Sequence, residues 1–164
     1  MNVKALSLGL ILAADVATGQ SFAGLGAEAD GFAIPQPNPT FEFPEDHGAH
    51  NAYRIEWWYL TATLTGEDGQ DYGVQWTLFR SAQRPEAAEG WQTAQIHMGH
   101  AGLTTADQHF SAERFARAGT GQAGVATAPF EAWIDDWIMQ STAPETEDAL
   151  SALQLTARGA DFSY

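Results

Sequence analysis

The sequence predicts an all-β protein, a sandwich or barrel of antiparallel strands, and three observations carry that expectation. Aromatic residues make up 12% of the 164 residues, six of them Trp, while only 17% is charged and Gly and Pro are plentiful. That mixture suits many short strands joined by tight turns rather than a helical bundle. Runs rich in β-branched and aromatic residues recur at short spacing between turn signals, with period-two alternation. No helical periodicity is found outside the N-terminal segment. A chain of this length holds one domain with a single core.

The elements follow in order. Met1-Asn2-Val3-Lys4 supplies a positive charge and Ala5 to Ala14 a short apolar run, with small residues at Ala17 and Gly19 and again at Ala27-Glu28-Ala29. This is the layout of a secretory signal peptide over residues 1–19. The apolar run is shorter than the roughly 20 residues a membrane-spanning helix needs. An exported protein, periplasmic or secreted and without stable membrane insertion, is therefore expected. Residues 20–40 hold Gly, Ala and three Pro without periodicity and read as an extended linker arm. The folded domain is expected over residues 41–164.

Glu56 to Leu64 and Tyr72 to Arg80 form two β-rich runs around a loop containing Asp68-Gly69, a hairpin signal. Trp58, Leu60, Ala62 and Leu64 share one face of the first run, and Tyr72, Val74, Trp76 and Leu78 one face of the second. These sets can make one dry face. The opposite face carries Trp57, Tyr59, Thr61 and Thr63 with Gln75, Thr77 and Phe79, polar yet aromatic. It can line a ligand cavity or be an ordinary wet outer face. Further strands are expected at 93–103, 109–115 and 130–139, and a last hairpin runs through 150–156 and turns near Arg158-Gly159. The end at Phe162-Ser163-Tyr164 reads as mid-strand, as in a truncated chain.

The composition excludes several classes. There are 21 Asp and Glu against 7 Lys and Arg, a formal charge of −14, which repels phosphate backbones and makes nucleic acid an unsuitable partner. No Cys is present, which excludes disulfides, thiolate metal sites and cysteine nucleophiles. No nucleophile elbow, P-loop, dinucleotide fingerprint or H-E-x-x-H occurs, and no cofactor is expected.

Candidate chemistry concentrates in Phe43 to Tyr59, which holds Asp46, His47, His50 and Glu56 beside two Trp and a Tyr. His47 and His50 flank Gly48 in a loop and could fold round an ion completed by Glu56 or Asp46, but spacing alone is a poor predictor of a metal; no metal is expected, and the preferred reading is that these His cap turns and tie loops to strands by hydrogen bonds. A second pair, His97 and His100, is three residues apart on a strand, so the two point to opposite faces. In Trp133-Ile134-Asp135-Asp136-Trp137, strand alternation would put Asp135 between two indoles, where poor solvation would raise its pKa and fit it to donate a proton. The other reading has the Asp pair as a solvated turn and the Trp pair as packing. The carboxylate candidates are thus Asp46, Glu56 and Asp135. The ligand-facing candidates are Trp57, Tyr59, Gln75, Phe79, His100, Trp133 and Trp137.

The run FPEDHGAH, RIEWWYLTATL, YGVQWTLFR, HMGHAGLT, ERFARAG and AWIDDW resembles the N-terminal lipocalin-like domain of the carotenoid 1,2-hydratases (hydroxyneurosporene synthases) and AttH-like secreted proteins. The resemblance covers about residues 41–164. It implies a calycin-type antiparallel β-barrel, incomplete at its C-terminus here and followed in the family by a second, related domain. It further implies either cofactor-free hydration of an isoprenoid or lipid, with the catalytic acid beyond the residues matched, or a member of a secreted group associated with export-type ABC transport systems. Expected export places the chain nearer the AttH-like branch. An exported carrier of a long apolar ligand, lipid or isoprenoid, is the function expected, with a hydratase or hydrolase as the alternative.

Overall fold

The computed structural model describes residues 30–164. The expected signal peptide and the first part of the arm lie outside the described residues. Where described, the arm runs along the surface and is tied down by Ala33 N–H donating to Ala52 O at 2.8 Å.

Among the described residues, eight strands form two antiparallel meanders. The first sheet is β1 (Ile55–Thr65), β2 (Asp71–Ala82), β3 (Gln95–Thr104) and β4 (His109–Arg117), paired in that order. The second is β5 (Ala123–Thr127), β6 (Phe130–Ile134), β7 (Trp137–Ser141) and β8 (Leu153–Thr156), again in chain order. The only helical pieces among the described residues are short 3₁₀ turns at Glu45–His47 and Gly90–Gln92. The all-β, antiparallel, lipocalin-like expectation holds. No strand of one sheet pairs with the other among the described residues, so the two sheets stack without closing into a barrel.

The expected hairpin forms β1 and β2, and its register pairs Trp58 with Leu78, Leu60 with Trp76 and Ala62 with Val74. The two dry-face sets therefore meet as expected from alternation. They are joined on that face by Ala101 of β3 and covered by Phe130, Ala132 and Ile134 of β6 and Trp137 and Met139 of β7. Gly99 is a point of close approach between the sheets. A Cβ there would lie 2.8 Å from Ile134 Cγ2, so a side chain would force the sheets apart. Three indoles in or beside this core donate to carbonyls of other segments: Trp58 to His47 O, Trp76 to Thr156 O and Trp137 to Arg158 O. Each bond satisfies a polar N–H that packing has taken from water, and it also fixes where a loop crosses the core.

Two elements differ from the sequence expectation. The single strand expected over 130–139 is a hairpin, β6 and β7, turning at Asp135-Asp136. Asp135 sits there at φ 53°, in the left-handed region that Asp tolerates better than most residues. The AGVAT segment, too small and short to announce itself, forms β5. The chain end is not an unpaired edge: Ala157 and Tyr164 exchange backbone hydrogen bonds at 3.0 Å in both directions, and Phe162 is buried.

Candidate functional site

The inner face of the first sheet stays apolar only partway along. Continuing the parity of Trp58 and Leu78 brings Glu56 of β1 opposite Arg80 of β2, and Arg80 is in turn opposite His97 of β3. Arg80 is 1% exposed. A buried guanidinium is tolerated only when it is paired and its donors are used, and both conditions are met. Glu56 Oε2 receives Nε and lies 2.9 Å from Nη2, Gln95 Oε1 receives Nη1 at 2.6 Å, and the carbonyls of His50 and Tyr53 receive Nη2 at 3.0 and 2.8 Å.

The network continues outward through the loop before β1. His50 donates from Nδ1 to Glu56 Oε1 at 2.6 Å and from Nε2 to Asp46 Oδ1 at 2.8 Å, while its backbone N–H reaches Glu56 Oε2. The hydrogen bond to Asp46, then that to Glu56, raise the His50 pKa above the ordinary histidine value against a partial burial that opposes them. Asp46 is held below the usual carboxylate value by the His50 hydrogen bond and by the Glu42 backbone N–H. With His50 as an imidazolium donating from both nitrogens, two anions and two cations balance in one chain: Asp46, His50, Glu56, Arg80. Both carboxylates are hydrogen-bonded beside the cleft mouth.

Two clefts border this network. One, of about 360 Å³, has Asp46, His50 and Glu56 at its rim and Trp58, Leu60, Phe130 and Met139 along its wall. The other, of about 490 Å³, lies between the loop holding Pro85 and Ala88, the start of β3 and the edge strand β5, with Arg80, His97, Val125 and Trp133 among its lining. His97 is 3% exposed, and burial followed by the neighbouring Arg80 cation push its pKa down to about 4.

The remaining candidates are distributed as follows. Trp57, Tyr59, Gln75 and Phe79 face outward from the first sheet, away from the second; His100 shares that face, edge-on to Phe79 at 5.5 Å. Trp57 and Tyr59 are exposed there, and Trp57, Phe79, Met98 and Phe115 form one cross-strand row. Trp57 and Tyr59 also border the cleft of about 360 Å³, and Gln75 and His100 line a third cleft of about 470 Å³ on this face. Trp133 and Trp137 do not flank Asp135, because the Asp135-Asp136 turn resets the alternation: Trp137 pairs with Ile134 in the core, and Trp133 faces the other way, over Gly124. Instead of an apolar slot, Asp135 meets Arg114 at 3.3 Å, and Arg114 also binds Asp136 and lies over the Trp137 ring. Trp137, at 1% exposure, cannot face a ligand. His47 stacks on Phe43 and points toward Phe130, while both ring nitrogens of His50 are taken by carboxylates, so the pair does not converge on an ion position. Among the described residues no group of three or more His, Asp or Glu is arranged to hold a metal. Sequence reasoning missed Arg80 and His97 as site residues, although a charge and an imidazole on the parity of a dry face were visible signals.

Two antiparallel meanders stacked over an aromatic core, with a neutralised ion network between open clefts, define a lipocalin-like β protein. Residues 34–164 match the AttH-like family model, and the chain belongs to that family. A crystal structure of a protein from Nitrosomonas europaea, provisionally assigned as an AttH, is similar over 81% of this chain at 29% identity with a TM-score of 0.62. The present chain spans 39% of the length of that relative. No curated protein matches the chain.

Proposed function

We propose that this protein binds a long apolar ligand, a lipid or an isoprenoid, in the clefts between and beside its two sheets, as an exported carrier. The observation behind this reading is the cleft pair bordering the Arg80 network. Each cleft is within the roughly 300–1,000 Å³ typical of small-molecule sites and combines apolar walls with a few fixed polar groups. Family membership supports a lipocalin-like binding role and leaves the ligand open. Service to an ABC transport system is part of the same proposal and rests on the family resemblance alone.

The carboxylates near the clefts disfavour the hydratase alternative among the described residues. Protonating an alkene requires a protonated, poorly solvated acid, whereas Asp46 is held ionised by His50 and Glu56 is clamped by Arg80. Native mass spectrometry of the protein recovered from a periplasmic fraction tests the carrier reading. A co-purifying lipid or isoprenoid is expected, on a mature chain beginning near Gln20 or Asp30. Bare protein that also fails to take up a neutral apolar fluorophore such as N-phenylnaphthylamine overturns ligand binding; an intact Met1 on cytosolic protein overturns export.

A further inference from the structure

One buried polar side chain stands outside the hydrogen bonds of the network. His97 lies beside Arg80 in the β2–β3 register and is almost wholly buried, and its Nδ1 finds no hydrogen-bond partner in the protein. A buried nitrogen left in that state is uncommon in folded proteins and calls for a partner from elsewhere. The ring borders the cleft of about 490 Å³, whose lining combines Ala123, Val125, Trp133 and the Pro85 loop with the polar side chains of Asn51, Glu89, Thr93 and Gln95. A half-turn of the imidazole about Cβ–Cγ exchanges Nδ1 with Cδ2, so either edge of the ring can present a nitrogen.

The chemistry at this position selects among ligands. Arg80 makes four hydrogen bonds to Glu56, Gln95, His50 O and Tyr53 O, and its charge is matched by Glu56. The cation is therefore committed to the protein rather than offered to an anion. His97, with its pKa depressed by burial and by Arg80, is neutral at physiological pH. A neutral imidazole has one donor and one acceptor nitrogen, and a hydroxyl group can serve either. A carboxylate or phosphate would have to enter a cleft that Glu89 lines and that offers no uncommitted cation to meet it.

We propose that His97 is the head-group subsite of this cleft, and that the ligand is a neutral apolar alcohol, hydrogen-bonded at His97 with its chain against Val125 and Trp133. The inference rests on the apolar-ligand reading above and adds the class of head group.

Displacement of N-phenylnaphthylamine from the full chain tests it, with decanol, chlorodecane and decanoate as competitors of matched length. Decanol is expected to displace the fluorophore about five- to tenfold more effectively than chlorodecane, the effect of one hydrogen bond in a dry site, with decanoate weakest. In His97→Leu the alcohol preference disappears while fluorophore binding persists. In His97→Gln, which restores a donor and an acceptor, the preference returns in part. Equal displacement by decanol and chlorodecane in the wild type, or an alcohol preference unchanged in His97→Leu, overturns the head-group assignment and leaves the carrier reading standing. No uptake of fluorophore or alcohol by the wild type overturns both.

Discussion

His50 and His97 both border Arg80, and the fold places them in opposite electrostatic conditions. His50 comes from a loop, keeps 36% of its side chain exposed and sits between two carboxylates that favour its charged form. His97 comes from the middle of the first sheet, is almost wholly buried and faces a cation, so its neutral form is favoured. Two residues of one type, on either side of one guanidinium, thus differ because partner charge and solvation act together at each. A loop can bend until carboxylates surround a side chain. A central strand gives its side chain only the neighbours that register dictates.

Removing the shared element should have the largest effect. Arg80→Met is expected to cost about 3 to 5 kcal/mol, because Glu56 and the carbonyls of His50 and Tyr53 lose their donors in a buried setting; urea unfolding at neutral pH measures it. A loss below about 1 kcal/mol would mean that the network relaxes into water.

The next effect separates the histidines by pH. The His97 pKa is lowered from 6.5 to about 4 on folding, so the unfolded chain binds the extra proton first. Stability from this group is complete above 6.5 and falls as the pH drops toward about 4, a loss of about 3 kcal/mol across the window. His97→Leu should remove that part of the acid slope, read as the difference between the two stability–pH curves. An unchanged slope would move the origin of acid sensitivity to other groups.

His50 should show the reverse sign. Its pKa is raised in the fold, so its contribution is fully present below the unfolded value of 6.5 and is lost as pH rises through the folded one. The gap between wild type and His50→Gln should narrow with rising pH, by at most about 1 kcal/mol, since solvent screens a ring this exposed. The smallest effect is expected from Asp46→Asn, which leaves Glu56 and Arg80 paired. NMR titration should show the His50 midpoint moving down, with a change in Tm smaller than that of any variant above.

Much of the fold was legible because alternation is a local property. The parity of Trp58, Leu60, Leu78 and Trp76 identified one dry face, and Asp68-Gly69 marked the turn that sets their register. The Asp135-Asp136 turn was legible only as one of two readings, because it lacks the Asn-Gly or Asp-Gly that usually marks a two-residue hairpin, and the strand reading placed Trp137 on a ligand-facing side. β5 has only small side chains and one Val, too little pattern to distinguish it from a loop. Of the site, Asp46, His50 and Glu56 were legible as a cluster within one short segment. Arg80 and His97 were not, because their significance depends on strands that meet only after folding.

The sequence by itself determined that the protein is all-β, where most strands lie, which residues share a face and that the two H-x-x-H pairs differ in kind. Those properties follow from side-chain periodicity and turn chemistry, which act over a few residues. Only the tertiary structure decided which aromatic face points inward, that the sheets stack open rather than closed, that Arg80 neutralises Glu56, and that burial, with Arg80 beside it, depresses the pKa of His97. Alternation distinguishes two faces but does not say which one another sheet will cover. A pKa depends on charges and solvent brought close by chain segments distant in sequence.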